Sequence, residues 1–353
     1  MATPALQAIR GGFPDAHIIG IMTAGIRELI EGAWSGDPPW IDDCVIYHKR
    51  SQRIPAQRGG SPLSRWHLAG ELRQRRLDAI VLLTNSWWSA AVSRCAGIKS
   101  IVGYDRDARG LLLTDPIAVP RDERGAKRPI SAVDYYLELA RWLGAETRSR
   151  QMRLATGQED NLLVEKLWQR VGFCISRQTI VINNAAAKDV TRVWPAERAR
   201  ELALRLACEY SLQVLIHCGP SEREGANRIA AEANHPLVAS MGMADSLPMG
   251  LSRGVLRRAD VVVSTDSGAR HMAVALDRPV VALFGPTNPQ WTRTYNVPES
   301  IIAETLQCRP CYQSRCPLQH HRCMRDIEVG QVLGAVIQQL FHARFHTQAG
   351  LAA

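Results

Sequence analysis

The stretch "ADVVVSTDSGARHMAVALDRPVVALFGPTNP" at residues 259–289 sets an acid, a hydroxyl, a glycine and an imidazole in close succession, as Asp266, Ser267, Gly268 and His271. An apolar run of strand type leads into Thr265 and Asp266. A helix is predicted from about Ala269, with His271 in its first turn. In a parallel α/β fold the free N–H groups and positive dipole end of such a helix face the loop at the strand's carboxyl end, where a diphosphate can be held. Gly268 lets a phosphate approach the backbone, and Ser267 adds a hydroxyl donor. The same spacing also suits a plainer arrangement, with Asp266 capping the helix and His271 packed half-buried.

A second cluster reads C-x2-C-x4-C-x6-C, at Cys308, Cys311, Cys316 and Cys323, with His320 and His321 inside it. Four soft ligands so close together could hold a structural zinc, but the spacing matches no standard finger. Reduced cysteines in a compact loop, with no metal and no cofactor, are the expectation. Cys44, Cys95, Cys174, Cys208 and Cys218 sit singly in or near apolar runs and are expected to be buried thiols of a reducing compartment.

The 353 residues are 46% hydrophobic and 22% charged, the composition of a soluble globular chain long enough for two domains. Forty-three Lys and Arg against 34 Asp and Glu give a net charge of +9, which favours anionic partners such as nucleotide diphosphates or phosphorylated lipid. The arginines are scattered and no aromatic-plus-basic signature accompanies them, so no nucleic-acid partner is expected. No apolar run approaches the ~18 residues of a membrane span and no secretory leader is visible, which predicts a cytoplasmic protein.

Positioning these residues falls to alternating strands and helices. "HIIGI" (17–21), "CVIY" (44–47), "AIVLL" (79–83) and "SIVGY" (100–104) read as strands of the first half. "SRWHLAGELRQRR", "WWSAAVSRCAG" and "SAVDYYLELARWLGA" read as helices, the last capped by Ser131 and stopped at Gly144. The first helix carries Ala5, Leu6 and Ile9, with Gly11 and Gly12 ending it. In the second half "TIVIN" (179–183), "QVLIH" (213–217), "DVVVS" (260–264) and "PVVALF" (279–284) are near-continuous apolar strands, as in a parallel sheet covered on both faces. "PAERARELALRLACEY" places Pro195 in a first turn and Ala199, Leu202, Ala203 and Leu206 on one face, and "VLGAVIQQLFHARF" supplies a last helix. The fold class is α/β, with a Rossmann-like domain over 1–165 and another over 166–353.

The wording of residues 265–292 resembles the signature of glycosyltransferase family 9, the ADP-heptose:lipopolysaccharide heptosyltransferases, and specifically the heptosyltransferase II branch. The resemblance continues through "NSWWSAAVSRCAGIKSIVGYDRDARGLLLT", "VDYYLELARWLGA", "RVWPAERARELA" and "CRPCYQSRCPLQHHRCM" in the order expected. It implies a GT-B fold of two facing Rossmann-like domains with parallel sheets, the first binding acceptor and the second the nucleotide sugar. The reaction implied is an inverting, metal-independent transfer of heptose from ADP-heptose to the inner core. Arg192, Glu222, Asp266, Ser267, Gly268 and His271 are implied as donor-binding, with Glu222 on the ribose hydroxyls and Arg192 and Asp266 supporting catalysis. Arg192 stands where the family has Lys, Ser267 where it has Thr and Asn288 where it has Asp; residues 183–190, "NNAAAKDV", replace a Pro-Gly-Ala type loop. Asn85, Ser86 and Arg106, with Arg109, are acceptor-side candidates for a phosphorylated lipid A-core, which implies transient contact with the cytoplasmic face of the inner membrane.

The family's base is an Asp in a Gly-Asp pair after a first strand. This sequence opens at the helix that follows, so the expected Asp lies before Met1; Asp15 and the Gly36-Asp37 pair fall at other places in the fold. Two alternatives accordingly stand beside the heptosyltransferase reading: a catalytically impaired nucleotide-sugar-binding protein of the same fold, or a GT-B transferase using another nucleotide sugar.

Overall fold

A computed structural model describes residues 1–34, 39–47, 65–184, 190–295 and 297–349. The Gly36-Asp37 pair and the middle of the "NNAAAKDV" loop lie outside these residues. The chain divides into two compact units, Met1–Arg150 and Gln151–Ala353.

In the first unit α1 (Thr3–Gly12), β1 (Ile19–Met22), α2 (Ala24–Trp34), β2 (Asp43–Ile46), α3 (Arg65–Gln74), β3 (Ala79–Val81), α4 (Trp87–Cys95), β4 (Ser100–Asp105), β5 (Asp115–Ala118) and α5 (Ala132–Trp142) follow in order. β1 and β2 pair in parallel, and β3, β4 and β5 form a parallel ladder in that order. α1 runs through both glycines and ends at Phe13. Gly12 is required there by contact, because a Cβ would meet the Cβ of Ala145 at 2.9 Å. Ser131 accepts from the Val133 N–H at 3.1 Å, the predicted cap of α5, a contact of the kind that contributes about 1 kcal/mol. The first core cluster collects Val45, Leu72, Leu82, Ala90 and Ile101 between α3, α4 and the strands.

The second unit contains α6 (Gln158–Val171), β6 (Thr179–Asn183), α7 (Ala196–Tyr210), β7 (Gln213–His217), α8 (Arg223–Ala233), β8 (Val238–Ser240), α9 (Met249–Arg258), β9 (Val261–Thr265), α10 (Gly268–Ala275), β10 (Val280–Leu283), β11 (Glu299–Ile302), α11 (Arg322–Arg325) and α12 (Val329–Ala349). Its six strands are parallel, ordered β11-β10-β9-β6-β7-β8. β6, β7, β9 and β10 are buried at every residue, which is why they read as unbroken apolar runs. α7 buries Ala199, Leu202, Ala203 and Leu206 completely, and Pro195 caps it from one residue before its first turn.

The single cysteines depart from expectation. Cys218 is buried, Cys44 is half-buried, and Cys95, Cys174 and Cys208 are exposed. Cys208 follows the buried pair Leu206 and Ala207 and so turns to the outer face of α7, while Cys95 and Cys174 lie at the ends of helices, where the apolar run has already left the core. Among the described residues no helix is long and apolar enough to cross a membrane.

Candidate functional site

The second unit's chain lays β6, β7 and β8 outward to one side, then β9, β10 and β11 to the other, so the order reverses between the neighbours β6 and β9. Loops leaving their carboxyl ends diverge there, and such a reversal is where open parallel sheets bind ligands. Arg192 follows β6, Glu222 follows β7, and Asp266, Ser267, Gly268 and His271 follow β9. The strand order thus brings all six donor-side candidates to the carboxyl ends of three adjacent strands.

Asp266 is almost fully buried, its side chain 6% exposed, and both carboxylate oxygens are engaged. Oδ2 accepts from Thr287 Oγ1 at 2.9 Å and from Arg192 Nη1 at 3.3 Å; Oδ1 accepts from Thr292 Oγ1 at 3.3 Å and lies 3.6 Å from Arg270 Nη1. The plainer arrangement, with Asp266 as helix cap, is therefore not what forms. Arg270, with no exposed side chain, is held by both oxygens of Glu299 at 2.6 and 3.0 Å and lies over the Phe284 ring. Thr287, Thr292, Arg270 and Glu299 were not singled out from sequence; Arg270 carried a signal there, since it stands four residues beyond Asp266 on the start of a helix.

Ser267 is the N-cap residue of α10, yet its side chain makes no cap hydrogen bond. Its Oγ turns instead to Asn183 Nδ2 at 2.9 Å and Ser264 Oγ at 3.2 Å. The first N–H groups of α10 are left without a side-chain partner, at the positive end of the helix. A Cβ on Gly268 would meet nothing within 4 Å, so open space lies beside the first residue of α10. His271 Nδ1 is buried and has no partner among the described residues. Burial first, and then the neighbouring Arg270 cation, hold the imidazole well below its ordinary range and so neutral.

Arg192 closes the short turn Val190–Arg192, with Nη1 donating to the Asp266 carbonyl at 3.2 Å as well as to its carboxylate. Thr191 fixes that turn from below: its Oγ1 donates to Gln313 O at 2.9 Å, and its carbonyl lies 2.7 Å from His321 Nε2. The Cys311 and Tyr312 N–H groups both reach Pro286 O, at 3.1 and 3.0 Å. The cysteine-rich loop is thus a platform under Arg192 and Thr287. Cys308, Cys311, Cys316 and Cys323 are free thiols, and among the described residues no group of three or more His, Cys, Asp or Glu is arranged to hold a metal ion.

Glu222 ends the turn Pro220–Glu222, and its Oε2 accepts from the Gly219 N–H at 2.8 Å. Its other oxygen takes no hydrogen bond among the described residues and is available to hydroxyl donors. Asn288 caps the turn Pro289–Thr292, accepting from Gln290 N–H at 2.9 Å, which is a turn role.

In the first unit Asn85 and Ser86 occupy the loop between β3 and α4. Asn85 Oδ1 accepts from Tyr135 Oη at 2.9 Å and Arg109 Nη2 at 3.3 Å. Ser86 is the N-cap residue of α4 and its hydroxyl makes no cap bond. Arg106 pairs with Asp107 at 3.5 Å and keeps about a third of its side chain exposed. Arg109 differs from the acceptor-side expectation: it is fully buried and spends its guanidinium on the Tyr104 and Thr84 carbonyls and Asn85, bracing the loop instead of meeting solvent.

Comparison with known proteins gives the family and the fold. Residues 65–322 match glycosyltransferase family 9 (heptosyltransferase). The lipopolysaccharide heptosyltransferase 1 of Pseudomonas aeruginosa is 36% identical over 274 residues, 73% of this chain and 68% of that protein. Lipopolysaccharide heptosyltransferase 2 of Salmonella typhimurium is 28% identical over 345 residues, 94% of this chain and 92% of that one. The solved Escherichia coli ADP-heptose lps heptosyltransferase II has a TM-score of 0.73 at 21% identity, covering 97% of this chain and 95% of its own, and shows the GT-B fold.

Proposed function

Since the chain belongs to glycosyltransferase family 9, the heptosyltransferases, we propose that it moves a heptose from ADP-heptose to the lipopolysaccharide inner core, with inversion and without a metal ion. The observation that carries the donor reading is the uncapped start of α10 beside Arg192 at the sheet's switch point. Backbone N–H groups, a hydroxyl and a guanidinium converge on one place and are aimed before any ligand arrives, which is the arrangement that stabilises a departing diphosphate.

Asp266 serves this site indirectly. A carboxylate would repel a diphosphate, but with both oxygens engaged by Arg192, Thr287, Thr292 and the nearby Arg270 it fixes Arg192 and neutralises part of the cationic excess until the donor binds. Arg192 and Asp266 are in this sense the supporting catalytic pair. The outer oxygen of Glu222 accepts the vicinal ribose hydroxyls, and the neutral His271 imidazole offers a hydrogen-bonding edge to the sugar. As the acceptor hydroxyl gives its proton to a general base and attacks the anomeric carbon from the side opposite the diphosphate, the C–O bond to ADP breaks and the leaving charge falls on Arg192, Ser267 and the α10 N–H groups.

The acceptor side is assigned to the 1–165 region and the donor side to 166–353. Arg106, with Asn85 and Ser86, supplies cationic and polar groups for a phosphorylated lipid A-core. Such an amphiphilic acceptor brings the protein transiently to the cytoplasmic face of the inner membrane.

The test is a coupled measurement of ADP release from ADP-heptose with a heptose-deficient lipid A-core acceptor, with and without a chelator, and the anomeric configuration of the product by NMR. Acceptor-dependent release that survives chelation, with inverted product, is expected. ADP binding by calorimetry without any release would instead identify a donor-binding protein with impaired turnover, and release only from a different nucleotide sugar would refute the heptose assignment.

A further inference from the structure

Three adjacent strands carry polar residues at one level near their carboxyl ends. Asn183 ends β6 and is in register with His217, which ends β7, and with Ser264 near the end of β9. All three are buried. His217 Nδ1 lies 3.0 Å from Asn183 Oδ1, and His217 Nε2 lies 2.6 Å from Ser252 Oγ. Asn183 Nδ2 reaches Ser264 Oγ at 3.1 Å and Ser267 Oγ at 2.9 Å, and Ser264 Oγ donates to the Thr265 carbonyl at 2.8 Å.

One arrangement of protons satisfies all of these contacts. Ser264 gives its hydrogen to Thr265, so toward Asn183 it can only accept, and the amide must present Nδ2 to the two serines. The amide oxygen then faces His217, whose Nδ1 must carry the proton, and Nε2 accepts from Ser252. Burial holds His217 neutral by drawing its pKa down to about 4, which keeps one donor and one acceptor on the ring. Ser267 Oγ is left as an acceptor toward Asn183 with its own hydrogen uncommitted except to the longer Ser264 contact at 3.2 Å. It can therefore rotate to a ligand without any heavy atom moving.

We propose that Asn183, oriented by His217, is a positioning residue for the donor: it draws the Ser267 hydroxyl off the cap position of α10, opening the helix N–H groups, and turns the Ser267 hydrogen toward the diphosphate. This rests on the donor reading above. Ser is among the residues best suited to cap a helix, and at Ser267 the hydroxyl is engaged elsewhere, by Asn183. The hydroxyl and the α10 N–H groups thereby become available to the same anion together.

The experiment is a double-substitution cycle read by calorimetric ADP binding. S267A and N183L should each weaken ADP binding by about ten-fold, the size of one hydrogen bond to a charged group. N183L placed in the S267A background should change ADP binding by less than about two-fold, and S267T should restore binding close to wild type, because it keeps the hydroxyl. H217L, which removes the donor that sets the amide without touching Ser264 or Ser267, gives the same comparison should N183L not accumulate folded; it should weaken ADP binding only when Ser267 is present. Multiplying effects of the two substitutions, or full ADP affinity in N183L, would overturn the proposal while leaving the donor site in place. Absence of ADP binding by the wild-type protein would overturn the donor reading and this inference with it.

Discussion

Gly268→Ala separates the fold from the site. A Cβ at this position meets nothing within 4 Å, and the residue opens an α-helix with ordinary helical geometry. Replacing Gly by Ala where the backbone already suits Ala stabilises a protein by about 0.4–1 kcal/mol, through the unfolded chain. The added methyl would stand in the open space beside the start of α10, next to the proposed diphosphate. Pushing a phosphate oxygen out of hydrogen-bond range of one of the N–H donors there removes about 1.5–3 kcal/mol, the contribution of one bond to a charged group. That corresponds to a loss in ADP affinity of about ten- to a hundred-fold. Denaturant titration should give a midpoint equal to or above wild type, and calorimetry should show the weakened ADP binding. An unfolded variant would refute the open space, and wild-type ADP affinity would refute the placement of the diphosphate at the start of α10.

Asp266→Asn keeps the shape but removes the charge between Arg192 and Arg270; Arg270 retains Glu299, so stability should fall by no more than about 1–3 kcal/mol while turnover drops at least about ten-fold, measured by ADP release at a temperature where the variant is folded. Glu222→Ala should weaken ADP binding but leave the affinity for inorganic pyrophosphate unchanged, because its available oxygen serves the ribose and not the phosphates; an equal loss for both ligands in calorimetry would contradict that assignment. The pH dependence of stability follows from His217, whose pKa burial draws from 6.5 to about 4. Between these values the unfolded chain takes up a proton that the folded protein refuses, so stability is fully present above pH 6.5 and is lost as the pH falls toward 4, by on the order of 3 kcal/mol. His271 shifts in the same direction and adds to the loss. Denaturation midpoints that stay level from pH 7 to pH 5 would contradict the neutral, buried imidazole.

What was legible in the sequence was whatever a period or a punctuation mark could encode. β6, β7, β9 and β10 announced themselves as apolar runs because both faces of the sheet are covered, and α5 because Ser131 caps it and Gly144 stops it. β5, β8 and β11 went unread. They are three or four residues long, and the first unit's β5, Asp115–Ala118, begins with Asp-Pro, which reads as a turn. Cysteine burial failed for a related reason: proximity to an apolar run does not say which face of a helix a thiol occupies, and Cys208 occupies the outer one.

The site divides along the same line. Asp266, Ser267, Gly268 and His271 were visible because strand, loop and helix carry them consecutively. Arg192, after β6, was reached through the family resemblance, but Thr287 and Thr292 in the connection after β10 and Glu299 on β11 were not, because they come from parts of the chain remote from that segment. Strand register, which only the folded sheet reveals, brings Asn183, His217 and Ser264 level. Polar residues ending apolar strands are individually unremarkable, since a strand's end is where burial usually stops. Here burial does not stop. All three stay inside, and a buried polar group is tolerated when its hydrogen bonds are made. Those bonds run from Ser252 through His217 and Asn183 to Ser267, which places the orientation of a half-buried hydroxyl under the control of the sheet's interior.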